Sequence, residues 1–181
     1  ERIGVSAAII EDKVGLKKNS LFKNQTGAKQ DSIKSFCKKI SKAKNTKISD
    51  DFMIIARIES FILGKGVNDA LKRAEAYSNA GADAILIHSK ENNPSQIFSF
   101  SKKFKKSKYF KPLVSVPSSY SKTYEKDLIK NGFKIIIYAN HMMRASYPSM
   151  LEVAKSILNN GRSYDMEKKI SSIKEIINLI K

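Results

Sequence analysis

The chain has 181 residues, 41% hydrophobic and 28% charged, which is typical of one globular domain with a sizeable core. No apolar run approaches the roughly 20 residues that a membrane-spanning helix needs, and the single cysteine, Cys37, excludes an internal disulfide and is typical of a cytoplasmic protein. The net charge of +17 could indicate nucleic-acid binding, but 29 of the 34 basic residues are lysine. Because specific readers of nucleic acid favour arginine, this composition argues against nucleic acid as the partner.

Five short apolar runs alternate with helical patterns along the chain. Each run is almost continuously apolar, which predicts strands of a parallel sheet that is buried on both faces. The runs cover residues 5–10, 52–56, 84–87, 113–116 and 134–138. A strand and a helix repeated in this way predict an α/β fold with right-handed crossovers. The pattern alone leaves two architectures open, a small doubly wound sheet and part of a (β/α)8 barrel.

The segments between the runs show helical periodicity and helix boundaries. Ile33, Phe36, Cys37 and Ile40 share one helical face, which places Cys37 in the core. The next helix is predicted to end at Asn79-Ala80-Gly81, and a third to begin with Asn93 as its cap and Pro94 as its first residue. The remaining helices are predicted at residues 124–130, about 149–158 and 166–180.

A polar segment follows the first apolar run, which ends in Glu11-Asp12. The segment contains Gly15 and Gly27 and carries Lys13, Lys17, Lys18, Asn19 and Ser20. In parallel α/β folds the ligand sites gather at the carboxyl ends of the strands. Carboxylates there suit a divalent metal or its water molecules, and lysine and amide groups suit a phosphoryl or carboxylate ligand. Taken alone, the segment is equally consistent with a solvated basic loop.

The other four apolar runs also end in polar residues. These ends read Arg57-Ile58-Glu59, His88-Ser89, Pro117-Ser118-Ser119 and Asn140-His141. Because parallel strands end at the same edge of a sheet, the five ends predict one shared pocket. An arginine that ends a buried strand needs an anionic partner. For Arg57 that partner is either a ligand or Glu59, which lies two residues on and on the same strand face.

The residues at these positions resemble the phosphoenolpyruvate mutase family of the isocitrate lyase superfamily. The likeness is carried by Glu11-Asp12-Lys13, Lys17, Asn19-Ser20 and several longer stretches, which are residues 51–62, 70–77, 81–90, 116–117 and 139–146. One departure is Gly15-Leu16, which stand where the family usually has an aromatic–proline pair.

This resemblance implies a (β/α)8 barrel, of which residues 1–181 form the C-terminal part, strands four to eight. Residues 1–165 would form the βα units, and residues 166–181 a terminal helix exchanged between the subunits of a homodimer or homotetramer. The first three strands, with the family's metal-binding aspartates, would then be missing from the chain, and the chain alone would be inactive.

The resemblance also implies a Mg²⁺-dependent isomerase that moves the phosphoryl group of phosphoenolpyruvate from oxygen to carbon, forming phosphonopyruvate in phosphonate biosynthesis. Glu11 would bind the metal through water, and Arg57 and His88 would hold the anionic substrate. Asn19 would steady the phosphoryl group in transit, while Lys17 and Ser20 close the segment over it.

Four alternatives stay open. Phosphonopyruvate hydrolase shares most of these motifs but typically has threonine where Asn19 stands. The lyases of the superfamily carry a catalytic cysteine in the corresponding loop, and this chain has none there. Outside the enzymes, Lys102 to Lys108 could belong to a nucleic-acid-binding module, although no aromatic-rich element accompanies them. Finally, the chain could have no activity of its own and only assemble.

Overall fold

A computed structural model describes residues 1–15, 19–20 and 27–180 of the chain. Its strands are β1 (Ala7–Glu11), β2 (Lys13–Val14), β3 (Lys29–Gln30), β4 (Met53–Ile58), β5 (Ala84–Ile87), β6 (Leu113–Ser115) and β7 (Phe133–Ile136). Its α-helices are α1 (Ile33–Thr46), α2 (Gly66–Asn79), α3 (Ser95–Phe104), α4 (Glu125–Lys130), α5 (His141–Asn160) and α6 (Ile173–Asn178). The predicted α/β fold is confirmed. Within the described residues, no helix combines the length and the apolar character that crossing a membrane requires.

The main sheet has five parallel strands in the order β1-β4-β5-β6-β7, and these are the five predicted strands. Within this sheet, each strand lies beside the next parallel strand along the chain. The short strands β2 and β3 pair with each other in an antiparallel ladder, which forms a separate sheet. A doubly wound sheet reverses its strand order at a switch point. The uninterrupted order found here is that of consecutive units in a β/α barrel.

The main core lies between the sheet and its helices. Alternate residues of β4, Ile54, Ala56 and Ile58, pack with Phe36 and Ile40 of α1 in this cluster. A second, smaller apolar cluster lies on the opposite face of the sheet and contains Ile55, Ala84, Leu86 and Val114. The two sets alternate along each strand because successive side chains point to opposite faces. We call the face that carries the smaller cluster the inner face.

The chain divides into two compact units, Glu1–Tyr138 and Ala139–Lys181. In the second unit the predicted helix start at Ser149 was wrong, because α5 begins at His141 and continues through Pro148. A proline suggests a helix boundary in sequence, yet a long helix can absorb the loss of one backbone hydrogen bond. The predicted helix over residues 166–180 was also too long. Met166 ends a 3₁₀ turn, and α6 begins only after Ser172, which forms a capping box with Glu175.

Boundaries elsewhere differ from the predictions by a residue or two. The third helix begins at Ser95 with Pro94 in the cap position, one residue later than predicted. Asn93 still marks this boundary, because its side-chain oxygen accepts a 3.0 Å hydrogen bond from the Ser95 amide. The second helix ends at Asn79 as predicted.

Candidate functional site

Glu11, Arg57 and His88 lie at the carboxyl ends of three neighbouring strands, and all three belong to the inner face. Glu11 is paired with Arg57 in the register of β1 and β4. Arg57 and His88 each follow, by two residues, a member of the inner cluster, Ile55 and Leu86. Side chains two positions apart share a face of a strand. The convergence predicted from the strand ends is therefore found for these three residues, whereas Asn140 and His141 belong to the second unit.

A buried cluster of charged groups connects these strand ends with residues 13–30. These residues run from the start of β2 to the end of β3, and we call them the 13–30 segment. Arg57 Nε donates to Glu59 Oε1 at 2.8 Å, and Arg57 Nη2 donates to Ser20 Oγ at 2.8 Å. Ser20 Oγ in turn donates to Glu59 Oε2 at 2.8 Å, and Lys13 Nζ lies 3.2 Å from the same oxygen. Ser20 is thereby held at the strand ends, as its predicted role requires.

The Glu59 carboxylate is the common acceptor of this cluster and is fully buried. Burial by itself would raise its pKa, but the charges of Arg57 and Lys13 and the hydrogen bond from Ser20 outweigh burial and lower the pKa. Glu59 therefore stays ionised at neutral pH. Glu59 is thus the internal anionic partner that the sequence offered for Arg57 as the alternative to a ligand. The Arg57 side chain nevertheless keeps 23% of its surface exposed, so a ligand can also reach it.

His88 is buried, and its Nδ1 atom has no hydrogen-bond partner among the described residues. Burial and the nearby charge of Arg57 lower the pKa of His88 from 6.5 to about 4. The imidazole is therefore neutral at pH 7 and can both donate and accept a hydrogen bond. A buried polar atom without a partner is costly, and a bound ligand would supply one.

The 13–30 segment leaves the sheet through the short β2–β3 ladder, in which Lys13 pairs with Gln30. Gly15 and Gly27 stand at its turns with φ of +83° and +80°, a conformation that favours glycine. Asn19 is exposed and adjoins the buried Ser20. The predicted residue Lys17 lies outside the described residues.

Two features of this site were missed by the sequence reasoning. Lys13 was grouped with the ligand-binding lysines, but it is buried and paired with Glu59. Asp12 was grouped with Glu11 as a carboxylate that suits a divalent metal or its water molecules. It is instead fully buried and accepts hydrogen bonds from Tyr77 and Gln30, each at 2.8 Å. The available signal was the occurrence of Arg73 and Tyr77, four residues apart, on the buried face of a helix.

The described part of the chain contains no group of three or more His, Cys, Asp or Glu residues arranged to hold a metal ion. Glu11 has Lys13 Nζ and Arg57 Nε near its carboxylate, each at 3.6 Å. Two neighbouring cations weaken the carboxylate as a direct ligand of a divalent metal. They are compatible with contact through a water molecule, and the water-mediated role of Glu11 stays a prediction.

The five lysines at 102–108 are all exposed in the structure. Lys102 and Lys103 are exposed in the last turn of α3, where positive charge stabilises the helix end. Lys108 stacks over Tyr109, its own chain neighbour, at 5.0 Å from the ring centroid. These contacts favour a solvated surface, and the absence of nucleic-acid binding stays a prediction.

Comparison with known proteins gives consistent results. The family model described as phosphoenolpyruvate phosphomutase matches residues 1–158. Phosphoenolpyruvate phosphomutase from Tetrahymena pyriformis is 39% identical over 99% of this chain, which spans 58% of that relative's length. The crystal structure of phosphoenolpyruvate phosphomutase from Streptomyces platensis subsp. rosaceus matches 98% of this chain and 60% of its own, with a TM-score of 0.90 and 35% identity. A phosphonopyruvate hydrolase complex with oxalate and Mg²⁺ matches 98% of this chain and 59% of its own, with a TM-score of 0.85 and 36% identity.

Proposed function

Because the chain belongs to the phosphoenolpyruvate phosphomutase family, we propose that its strand ends form part of the active site of an enzyme that interconverts phosphoenolpyruvate and phosphonopyruvate. In that isomerisation the bond from phosphorus to the enol oxygen breaks and a bond from phosphorus to C3 forms. The observation that best supports the proposal is the meeting of Arg57, neutral His88 and Ser20 at one edge of the inner face.

Each of these groups suits a substrate that carries a carboxylate and a phosphoryl group. The Arg57 guanidinium supplies fixed positive charge and remains partly exposed. Because the His88 imidazole is neutral, it can form a hydrogen bond to the substrate without adding a charge to the site. Phosphoryl transfer passes through a loose, metaphosphate-like state, so catalysis depends on positioning and on charge stabilisation.

The 13–30 segment would keep water away from the migrating group. Ser20 ties the segment to Arg57 and Glu59, and Asn19, next to it, would donate a hydrogen bond to a phosphoryl oxygen. Lys17 would complete the closure. Exclusion of water matters because a water molecule in line with the phosphorus would give inorganic phosphate and pyruvate in place of the isomer.

Mg²⁺ is the proposed cofactor, and a relative of known structure binds it together with oxalate. When bound, it would supply positive charge beside the enolate oxygen of the substrate. In this chain Glu11 would contact it through water.

The second candidate is hydrolysis of phosphonopyruvate, because the hydrolase structure is as similar to this chain as the phosphomutase structure, at 36% against 35% identity. Phosphorus NMR of phosphonopyruvate incubated with the full natural protein and Mg²⁺ separates the two reactions. Phosphoenolpyruvate as the main product supports the mutase. Inorganic phosphate and pyruvate in equal amounts, with no phosphoenolpyruvate at any time, would exclude the mutase and support the hydrolase.

We further propose that the second unit assembles by exchanging its terminal helix between subunits, giving a homodimer or homotetramer. Large apolar side chains of α5 and α6 are exposed, among them Met142 and Leu158 of α5 and Ile173 of α6. Exposed apolar surface of this kind is typical of contact sites between proteins. Light scattering of the full natural protein, compared with an Ile173→Glu variant, measures the assembly.

Location in the cytoplasm is proposed from the cysteine content alone.

A further inference from the structure

We propose that Arg73 and Tyr77 of α2 are positioning residues that lock the two ends of the 13–30 segment together, and so hold Asn19 and Ser20 at the strand ends. They act through Asp12, which directly precedes the segment, through Gln30, its last residue, and through Asp31, which directly follows it. The locking itself is independent of the reaction, whereas its effect on catalysis rests on the function proposed above.

Asp12 is the centre of this lock. Its carboxylate is fully buried, and its Oδ1 atom accepts a 2.9 Å hydrogen bond from the Glu59 amide. Its Oδ2 atom accepts from the Tyr77 hydroxyl at 2.8 Å and from Arg73 Nη1 at 3.2 Å. The amide of Asp31 donates to the carbonyl of Asp12 at 2.7 Å, which closes the segment at its base.

Asp12 Oδ2 and Arg73 Nη1 also hold the far end of the segment. Gln30 Nε2 donates to Asp12 Oδ2 at 2.8 Å and to Ser60 Oγ at 3.1 Å. Arg73 Nη1 donates to the Asp31 carbonyl at 2.8 Å and to the Tyr77 hydroxyl at 2.7 Å. One helical turn of α2 therefore contacts both ends of the segment, because Arg73 and Tyr77 are four residues apart and share a helix face.

The lock is rigid because its supports are themselves fixed. Arg73 Nε donates to Asp69 Oδ2 at 2.9 Å, and Ser60 Oγ donates to the same oxygen at 2.7 Å. The ring of Tyr77 packs against Phe36 of α1, with 4.6 Å between the centroids. The buried polar groups of this network favour one arrangement, because each group that lost its partner would carry the cost of burial without a hydrogen bond. Gln30 is paired through Nε2, whereas its Oε1 atom has no partner among the described residues.

The cluster of Arg57, Ser20 and Glu59 does not account for the contacts of Arg73 and Tyr77 with the segment. Neither Arg73 nor Tyr77 contacts Arg57 or Ser20 by any hydrogen bond or ion pair found in the described residues. The two clusters meet at the backbone of Glu59, whose amide donates to Asp12 while its carboxylate accepts from Ser20. Asp12 thus links the base of the segment to the residue that holds Ser20.

Tyr77→Phe tests the lock, because it removes one hydroxyl and keeps the ring packed on Phe36. Gln30→Met is the second variant and breaks the lock from the side of the segment. Tyr120→Phe is the matched control, since Tyr120 is equally buried and its hydroxyl lies 3.0 Å from Ser115 Oγ, outside the segment. All variants are made in the full natural protein. Urea unfolding gives the free energy of unfolding of each variant, so that the variants are compared at matched stability.

The first measurement is the rate of tryptic cleavage within the 13–30 segment, where the sequence places Lys17, Lys18 and Lys23. Tyr77→Phe and Gln30→Met should each raise this rate about tenfold, as expected when a buried charge loses one hydrogen bond, and Tyr120→Phe should leave it unchanged. Equal cleavage rates in Tyr77→Phe, Gln30→Met and Tyr120→Phe would overturn the proposal.

The second measurement is the ratio of inorganic phosphate to phosphoenolpyruvate formed from phosphonopyruvate. A loosened segment admits water, so this ratio should rise and kcat should fall more than KM changes in Tyr77→Phe. A residue that only stabilises the fold would lower the amount of active enzyme and leave the ratio as it was, which would count against the positioning role. Faster cleavage in an enzyme whose wild type forms no phosphoenolpyruvate would support the lock and refute the proposed function alone.

Discussion

Arg57 and Ser20 are 37 residues apart in the chain and are joined by a 2.8 Å hydrogen bond from the guanidinium Nη2 to the seryl oxygen. Arg57 lies near the carboxyl end of β4, and Ser20 belongs to the segment that follows β1, the neighbouring parallel strand. The contact therefore ties a loop to the fixed part of the site. Glu59 completes the triangle, because it accepts from both residues at 2.8 Å.

Ser20→Ala should reduce kcat/KM about tenfold, because it removes the hydroxyl that bridges Arg57 and Glu59. A hydrogen bond to a charged group contributes roughly 1.5–3 kcal/mol, and part of that is recovered here because Arg57 still pairs with Glu59. Steady-state kinetics with phosphonopyruvate measure the effect, and Ser99→Ala, at an exposed position of α3, is the control. Equal kinetics in Ser20→Ala and wild type would show that the contact has no role in turnover.

Arg57→Ala should lower kcat/KM by about 30-fold to several thousand-fold, because it removes a fixed cation from a site for a multiply anionic substrate. Loss of a charge-assisted contact to a buried anion costs on the order of 2–5 kcal/mol. Folding should survive, since Lys13 remains 3.2 Å from the Glu59 carboxylate. Kinetics and urea unfolding of the same preparation separate the two effects.

The opposite pattern for Arg57→Ala would be near-normal kinetics with a strongly lowered unfolding midpoint. In that case the internal pair with Glu59 would be the main role of Arg57, and ligand binding would not be. Arg57→Lys is a useful companion, because it keeps the charge and loses the planar fork that serves both Glu59 and Ser20.

The sheet could be predicted from the sequence because its central strands, β4, β5 and β6, are largely buried and are marked directly by continuous apolar runs. The edge strands β1 and β7 are apolar as well, although they are only partly buried. Placing Arg57 and His88 together needed only the rule that parallel strands end at one edge. The role of Asp12 could not be predicted, because a carboxylate at a strand end looks the same in sequence whether it faces a ligand or the backbone of Glu59. Only the packing of α2 against the segment, through Arg73 and Tyr77, decides this.

Helix boundaries in the second unit show a similar limit. The sequence predicts a helix from about residue 149, directly after Pro148, whereas α5 begins at His141 and continues through that proline. The isoleucine spacing near the end of the chain predicts one long helix, yet the capping box at Ser172 starts a new one. Ser172 and Glu175 are themselves a local signal for a helix start, but apolar periodicity alone does not report it.

His88 should make stability depend on pH in the acid range. Its pKa is about 4 in the folded protein against an ordinary 6.5, so the unfolded chain takes up the proton first. The contribution of His88 is therefore complete above pH 6.5 and is lost as the pH falls towards 4. With about 1.4 kcal/mol for each pKa unit, the loss over this window is on the order of 3 kcal/mol.

Urea unfolding of the full natural protein at pH 7, 6 and 5 measures the dependence on His88. His88→Asn has no group that titrates in this range, so its free energy of unfolding should fall less steeply with acidification than that of wild type. The difference between the two slopes isolates His88 from Asp12, whose pKa is raised by burial. Parallel profiles for the two proteins would contradict the lowered pKa.

Residues 1–181 produced as an isolated polypeptide should aggregate. β1 and β7 end the five-stranded sheet and leave backbone groups open to pairing with other chains. Ile9 of β1 is 43% exposed and adds apolar surface at this edge. Size-exclusion chromatography with light scattering measures the outcome, and Ile9→Lys should reduce aggregation by placing charge on the edge strand. A monodisperse monomer that melts cooperatively would contradict the prediction.

Asn19 should decide between isomerisation and hydrolysis. Its carboxamide can donate a hydrogen bond to a phosphoryl oxygen and cannot act as a base towards water at neutral pH, which suits a group that carbon must recapture before solvent does. Asn19→Ala in the full natural protein should slow the interconversion of phosphonopyruvate and phosphoenolpyruvate roughly 10²-fold or more, the scale of losing one donor to a transition-state oxygen. Asn45→Ala, at an exposed position of α1, is the matched control. Phosphorus NMR follows both products, and an Asn19→Ala enzyme that isomerises as fast as the control would remove Asn19 from the mechanism.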